Sequence, residues 1–433
     1  MELFGTMKIQ DDTLYIGDIS TLELTKEYGT PLYVIDEKLV RDKCKRYYNA
    51  FKVEERENRV AYAGKAFLTL AMCQLINENG LCLDVVSGGE LYTAVKSGFP
   101  LEKVYFHGNN KTIDEISMGV ENGVGRFVVD NLYELENINK FAEKNNKVQK
   151  ILIRITPGIE AHTHDYIKTG QIDSKFGLTI VNDKALEAVK KAIELPNIEL
   201  AGLHCHIGSQ ILELKPYEDT AEVMMKFIKK IKDETNYEIQ ELDLGGGFGI
   251  HYSKGDKPKT IEEFCNTIIN KVDECSKKLD LLLPKLVIEP GRSIIGKAGT
   301  TLYTVGSIKE IPTVRKYVSV DGGMTDNIRP ALYKAIYECI LCNKANEKNA
   351  EKVTISGKCC ETGDILLTNA EIPKAETGDV LAVTSTGAYC YSMSSHYNKI
   401  PRAAVVFAME GKSKLVCKRE TFEDIIKNEL PLN

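Results

Sequence analysis

The sequence predicts an α/β chain with an added all-β part: a (β/α)8 TIM-type barrel with a second antiparallel β-sandwich or β-barrel domain. Three observations predict it. Short apolar runs recur eight times, at 60–65, 81–86, 103–107, 126–130, 150–155, 200–206, 240–245 and 285–289. Runs without alternation suit strands buried on both faces of a parallel sheet. Segments with helical spacing lie between them, among them Glu90 to Lys96, Ile113 to Glu121 and Pro216 to Lys232. Eight strands alternating with helices make the barrel pattern, with a doubly wound open sheet as its rival on periodicity alone. Past Glu289-Pro290-Gly291-Arg292, helices give way to runs rich in Val, Ile, Thr and Tyr at 300–310, 316–321, 352–357, 365–369, 380–385, 402–409 and 414–419. Separated by turn signals, such runs read as an antiparallel sheet.

Taken in order, the chain opens with short alternating segments, Met7 to Gln10 and Thr13 to Ile16, then a helix near Thr21 to Glu27. Gly29-Thr30-Pro31 breaks it, Leu32 to Ile35 runs extended, and an amphipathic helix covers Glu37 to Phe51. The lead-in does not resemble a barrel unit. The predicted division is therefore a barrel over 36–290 and a discontinuous β domain from 1–35 and 291–433, with the N-terminal strands joining its sheet. One helical insertion, Pro330 to Cys342, interrupts the second part.

An apolar content of 43% and a charged content of 27% over 433 residues describe a globular protein with material for a large core. A net charge of -6 argues against a nucleic-acid surface, which is normally basic. No apolar run is long enough to span a bilayer and Met1-Glu2-Leu3-Phe4 starts no secretory signal, so neither membrane nor nucleic acid is expected and the location reads as cytoplasmic. Twelve cysteines then read as reduced thiols. Cys339 and Cys342 form a C-x-x-C, but the adjacent Cys359 and Cys360 are awkward tetrahedral ligands, and no metal is expected.

In such a barrel the active face collects residues just after each strand. Those ends offer Lys65, Asp84 with Ser87, His107, Asp130, Arg154, His206 with Ser209, Gly245-Gly246-Gly247, and Glu289. Lys65, in Ala61-Tyr62-Ala63-Gly64-Lys65-Ala66, is either a solvated surface lysine or the amine that forms a Schiff base with an aldehyde cofactor. The glycine run either makes a tight turn or lets backbone N–H groups close on a phosphate. His204 and His206 alternate on one strand face, as a zinc pair, a ring-stacking imidazole or a core histidine. Glu289 could keep a pyridine nitrogen protonated, and Arg292 could hold a carboxylate bidentately; the same tetrapeptide could be a salt-bridged turn. Further on, Arg329-Pro330-Ala331-Leu332-Tyr333 offers a carboxylate ligand and a phenol. Cys359-Cys360-Glu361-Thr362-Gly363-Asp364 gathers thiols, carboxylates and a hydroxyl, with Lys358 beside them to ease thiol ionisation, and Tyr389 adds a phenol at a strand end.

Together these segments resemble the group IV, alanine-racemase-fold amino-acid decarboxylases that use pyridoxal 5′-phosphate, over about Tyr33 to Phe407. Y-A-x-K-A, H-x-G-S-Q, G-G-G-F-G and E-P-G-R carry the general resemblance. The stretches His162 to Gly170, Asp173 to Gly177 and His204 to Gln210, with the C-E-x-G-D segment, point to the branch acting on meso-2,6-diaminopimelate. The resemblance implies that Lys65 carries the cofactor, His206 stacks on its ring, and Glu289 pairs with the ring nitrogen. It assigns the phosphate to Gly245, Gly246, Gly247 and Ser209, with the backbone of Gly291 and Arg292. Arg292, Arg329, Tyr333, Glu361 and Tyr389 would bind substrate, Tyr389 touching cofactor as well, and Cys360 would donate a proton. It also implies a homodimer with shared active sites, Cys360 reaching the other subunit. Thr362 stands where serine is common and Phe67 where asparagine is frequent; neither removes a catalytic group. A sister enzyme acting on arginine, ornithine or carboxynorspermidine is the nearest rival, and a catalytically silent homologue would lack Lys65 or Cys360.

Overall fold

The computed structural model describes residues 2–54, 56–158, 174–253 and 255–433. The chain divides into two units, one formed by Met1–Asp42, His251–Asp256 and Ile294–Asn433, the other by Lys43–Ile250 and Lys257–Ser293.

The first unit begins with β1 (Lys8–Gln10), β2 (Thr13–Ile16) and β3 (Ile19–Ser20), which pair antiparallel. Contrary to expectation, these strands make a sheet of their own and only the fourth, β4 (Leu32–Asp36), enters the large sheet. Between them the helix Thr21–Tyr28 starts where Ser20 accepts the Leu22 N–H, and stops at Gly29.

The barrel unit is a closed ring of eight parallel strands: β5 (Arg59–Ala63), β6 (Cys82–Val85), β7 (Val104–Phe106), β8 (Arg126–Val129), β9 (Gln149–Thr156), then, past the two-residue β10 (Leu178–Thr179) on its rim, β11 (Ile198–Cys205), β12 (Glu241–Asp243) and β13 (Lys285–Ile288), which returns to β5. All eight apolar runs are strands, and their residues are buried almost throughout, as a helix-covered parallel sheet requires. Ala61, Cys82, Tyr105, Val128, Leu152, Ala201 and Val287, from seven of the strands, pack together as one buried cluster. One polar group is folded into the same interior: Glu241 accepts from Arg126 Nε and Nη2 (3.1 and 2.9 Å) and from the Tyr105 hydroxyl (2.8 Å).

The first unit resumes with β14 (Gly299–Ile311), β15 (Arg315–Val320), β16 (Cys339–Leu341), β17 (Glu351–Ser356), β18 (Ile365–Ile372), β19 (Val380–Val383), β20 (Ala404–Met409) and β21 (Lys412–Cys417). The long β14 pairs with β4 and β19 near its start and with β15 near its end. Most pairings are antiparallel, but β15–β17 and β4–β20 run parallel. Phe4, Leu14, Ile16, Leu24, Val34, Leu302 and Val406 lie in its core. The predicted helix Pro330 to Cys342 is a correction: a short helix covers Arg329–Tyr333 and ends at Lys334 in the left-handed region (φ 53°), and Cys339–Leu341 is a strand on β19. Cys342 is buried in the core cluster, and all twelve cysteines are free thiols.

Candidate active site

The barrel's strand ends gather most of the predicted groups. Lys65 lies in the single turn Gly64–Ala66 that ends β5, exposed, while Gly64 and Ala66 are buried. Its charge favours the ionised forms of Asp84 and Glu90 and opposes protonation of His206, so all three sit within its field. Burial pushes the Asp84 carboxyl up to about 6 and that of Glu90 up to about 7. Glu90 also accepts the Val86 N–H at 2.7 Å.

Glu289, just past β13, is buried with His107 Nε2 at 2.6 Å and His204 Nε2 at 3.3 Å. Burial works against its ionisation, yet the two imidazoles hold its carboxyl well below the usual range. His204 is itself driven down to about 3 by burial, so it meets Glu289 as a neutral ring. His206 is held well below the imidazole range by burial and by the Lys65 charge. Its Nδ1 accepts the Gly246 N–H at 3.2 Å, which leaves the ring proton on Nε2. The two histidines of the alternating pair are thus tied to different partners.

The glycine loop and the H-I-G-S-Q loop are one stitched structure. Ile211 N–H donates to Gly247 O and Gly249 N–H to Ile211 O, each at 2.9 Å, and Gln210 Nε2 donates to Ile250 O at 2.6 Å. Gly245 (φ 66°) donates to Asp243 and accepts from the Glu289 N–H, both at 2.8 Å; a β-carbon there would come within 2.7 Å of Cys205 O. At Gly247 (φ 99°) it would come within 2.3 Å of Gly208 O. Only glycine permits this approach. Arg292, buried, donates through Nη2 to Ser209 Oγ at 2.9 Å, and Gly291 packs against Ala63 and Ala66 beside the Lys65 turn. On the far strands, Arg154 stacks on Phe176 (4.3 Å) and its Nε lies 3.8 Å from Asp130, which accepts the Gly177 N–H at 3.0 Å. The stretch His162 to Gly170, with Asp173, lies outside the described residues.

Four buried polar atoms at this end have no hydrogen-bond partner: Asp84 Oδ1, Asp130 Oδ1, His204 Nδ1 and Asp243 Oδ2. Buried polar atoms are nearly always paired. An amine at the rim, a neutral imidazole, a carboxylate with an orphan oxygen and a backbone cradle suit a flat, polar, phosphate-bearing ring. The residues fit pyridoxal 5′-phosphate.

The β unit, described by itself, carries the other predicted groups. Arg329 is buried; its Nε donates to the Tyr337 hydroxyl at 2.8 Å, and its guanidinium lies 5.3 Å from the Tyr333 ring, 5.6 Å from Tyr389 and 6.0 Å from Tyr252. Tyr389 holds φ 62°, an unusual conformation for a tyrosine. Cys360 and Glu361 are exposed on another loop. Asn398 Oδ1 accepts the Cys360 N–H at 2.8 Å, and Asp364 accepts those of Cys359 (2.8 Å) and Met324 (2.6 Å). Of the adjacent thiols, Cys359 is half-buried and pushed up to about 11 by burial and Asp364.

Sequence reading missed Asp243, Glu90 and Asn398. An acid at the end of an apolar strand, two residues before the glycines, was the signal available for the first. Glu90 stands three residues after its helix cap Ser87, whose Oγ accepts the Glu90 N–H.

Residues 37–296 match the family model described as the pyridoxal-binding domain of pyridoxal-dependent decarboxylases. The chain is 49% identical to the diaminopimelate decarboxylase of Bacillus subtilis, covering 100% of this chain and 98% of that one. It is 50% identical to that of Halalkalibacterium halodurans, over 100% and 99%. A crystal structure of the M. jannaschii diaminopimelate decarboxylase in complex with L-lysine superposes with a TM-score of 0.92 at 39% identity, covering 98% of both chains.

Proposed function

The chain belongs to the pyridoxal-dependent decarboxylases, in their diaminopimelate branch, and from that premise we propose that it decarboxylates meso-2,6-diaminopimelate to L-lysine and carbon dioxide, the last step of lysine biosynthesis. The observation that carries the proposal is the meeting of Lys65, His206, the glycine cradle and an anionic Glu289 at one end of the barrel.

Pyridoxal 5′-phosphate supplies an electron sink for the carboxylate that leaves. Lys65 would hold its aldehyde carbon, and the loop of Gly245, Gly246 and Gly247, with Ser209 and the backbone of Gly291 and Arg292, would hold its phosphate. Glu289, kept anionic by its imidazole neighbours, would pair with the ring nitrogen, and His206 would lie against the ring as a neutral imidazole. Arg292, Arg329, Tyr333, Glu361 and Tyr389 would bind the amino-acid end that does not react. Ornithine carries no carboxylate there, which is how the two arginines would discriminate. Cys360 would return a proton to the substrate carbon.

We also propose a homodimer in which Cys360 and Glu361 serve the site of the other subunit. Their exposure on a loop of the β unit supports this. Cytoplasmic residence fits twelve free thiols, and no described helix is long and apolar enough to cross a membrane.

The test is to incubate cofactor-loaded protein separately with meso-diaminopimelate, L-ornithine and L-arginine, measuring carbon dioxide and the amine formed. Lysine from diaminopimelate alone is expected. Release only from ornithine or arginine would overturn the assignment of Arg329 and Glu361.

A further inference from the structure

Asp243 is fully buried at the end of β12. Its Oδ1 accepts the Gly245 N–H at 2.8 Å, and its Oδ2 has no hydrogen-bond partner. Side-chain nitrogen and oxygen atoms of Asp243, Glu289, His107 and His204 lie within 4.8 Å of one another, all buried. Two buried carboxylates this close do not both ionise readily, as in other buried acid pairs.

We propose that Asp243 and Glu289 share a single proton resident on Asp243, making Asp243 a positioning residue: one oxygen anchors the glycine loop and its hydroxyl supports the Glu289 carboxylate. The inference deepens the reading of Glu289 as the partner of the ring nitrogen, and rests on it. A neutral acid here adds a hydrogen-bond donor beside Glu289 without adding a second negative charge.

The asymmetry of the surroundings decides which acid keeps the proton. His107 and His204 lie within hydrogen-bond reach of Glu289, while among the described residues no ion pair involves Asp243. Asp243 faces Glu289 and Glu241, and Cys205 with it; Glu289 also feels Asp84 and Arg154. Burial, then the Glu289 charge, push Asp243 well above the carboxylate range. A divalent cation is the other way to satisfy these atoms. Two ligands on one tetrahedral zinc stand about 3.3 Å apart, whereas His107 Nε2 and Glu289 Oε1 are 2.6 Å apart.

The first test uses infrared difference spectra of cofactor-free wild type against Asp243→Asn, at about pH 8, above the titration of the other raised acids. A protonated-carboxyl carbonyl stretch present in wild type and missing from the variant is expected; no such band overturns the proposal. This arm needs neither cofactor nor substrate, so it fails separately from the decarboxylase reading. The second titrates cofactor affinity through its visible absorbance. Asp243→Ala should weaken it about tenfold or more, and Asp243→Asn, an isostere of the protonated acid, should restore it to within about threefold. Asparagine behaving like alanine, or a stoichiometric metal in the purified protein, overturns the assignment.

Discussion

Glu241 and Asp243 lie two residues apart on one barrel strand, both buried, and their circumstances differ completely. Glu241 is saturated, receiving charge-assisted or hydroxyl hydrogen bonds from three donor atoms of Arg126 and Tyr105. Asp243, one strand repeat further on, keeps an orphan oxygen among other orphaned groups. A rise of roughly 6.6 Å along a strand separates polar packing that holds the barrel together from polar packing that is left incomplete. Burying an unpaired polar atom costs about 1–3 kcal/mol, so an interior that tolerates several at one end and none around Glu241 is organised for a ligand at that end.

Four substitutions or mixtures would break or sharpen this contrast. Lys65→Ala should lower carbon dioxide release by about 10³-fold or more while shifting the urea unfolding of the cofactor-free protein far less than Glu241→Ala does, because Lys65 is exposed. A matching loss of stability would remove the distinction between the two ends. Glu241→Ala should do the reverse, stranding the buried Arg126 and costing about 3–5 kcal/mol of unfolding free energy in urea titrations. An unshifted midpoint would mean the saturated pair holds nothing. Mixing inactive Lys65→Ala and Cys360→Ala chains through unfolding and reassociation should recover about one quarter of wild-type activity, since half the dimers carry one intact site; no recovery would place both groups in the same subunit's site. The smallest effect concerns Glu90. Its folded pKa of about 7 exceeds the unfolded value, so the stability its protonation provides is full below about pH 4.3 and is lost as pH rises through 7. Glu90→Gln keeps the acceptor for the Val86 N–H and should flatten stability against pH across that window.

The barrel was legible because its strands are written as unbroken apolar runs, and the strand-end rule then located Lys65, His206 and Glu289 without coordinates. The helix expected at 330–342 failed for a physical reason. Arg329 to Tyr333 has helical chemistry, but Lys334 turns left-handed and the following Cys339–Leu341 is claimed by a neighbouring strand, a tertiary preference that no local window contains. The first three strands failed similarly, since alternation signals a strand but does not name its partner. Asp243 stayed hidden because its meaning comes from His107, His204 and Glu289, which reach it from three other strand ends. Asn398 lies 38 residues from the thiol loop that it holds.

The loop bearing His206 and Ser209 is already bridged to the glycine loop through Ile211 and Phe248, and again through Gln210 and Ile250. A receptor assembled in advance surrenders little entropy when its guest arrives. Exchange of one cofactor molecule for another would then be governed by the bond proposed at Lys65, not by the opening and refolding of a phosphate lid.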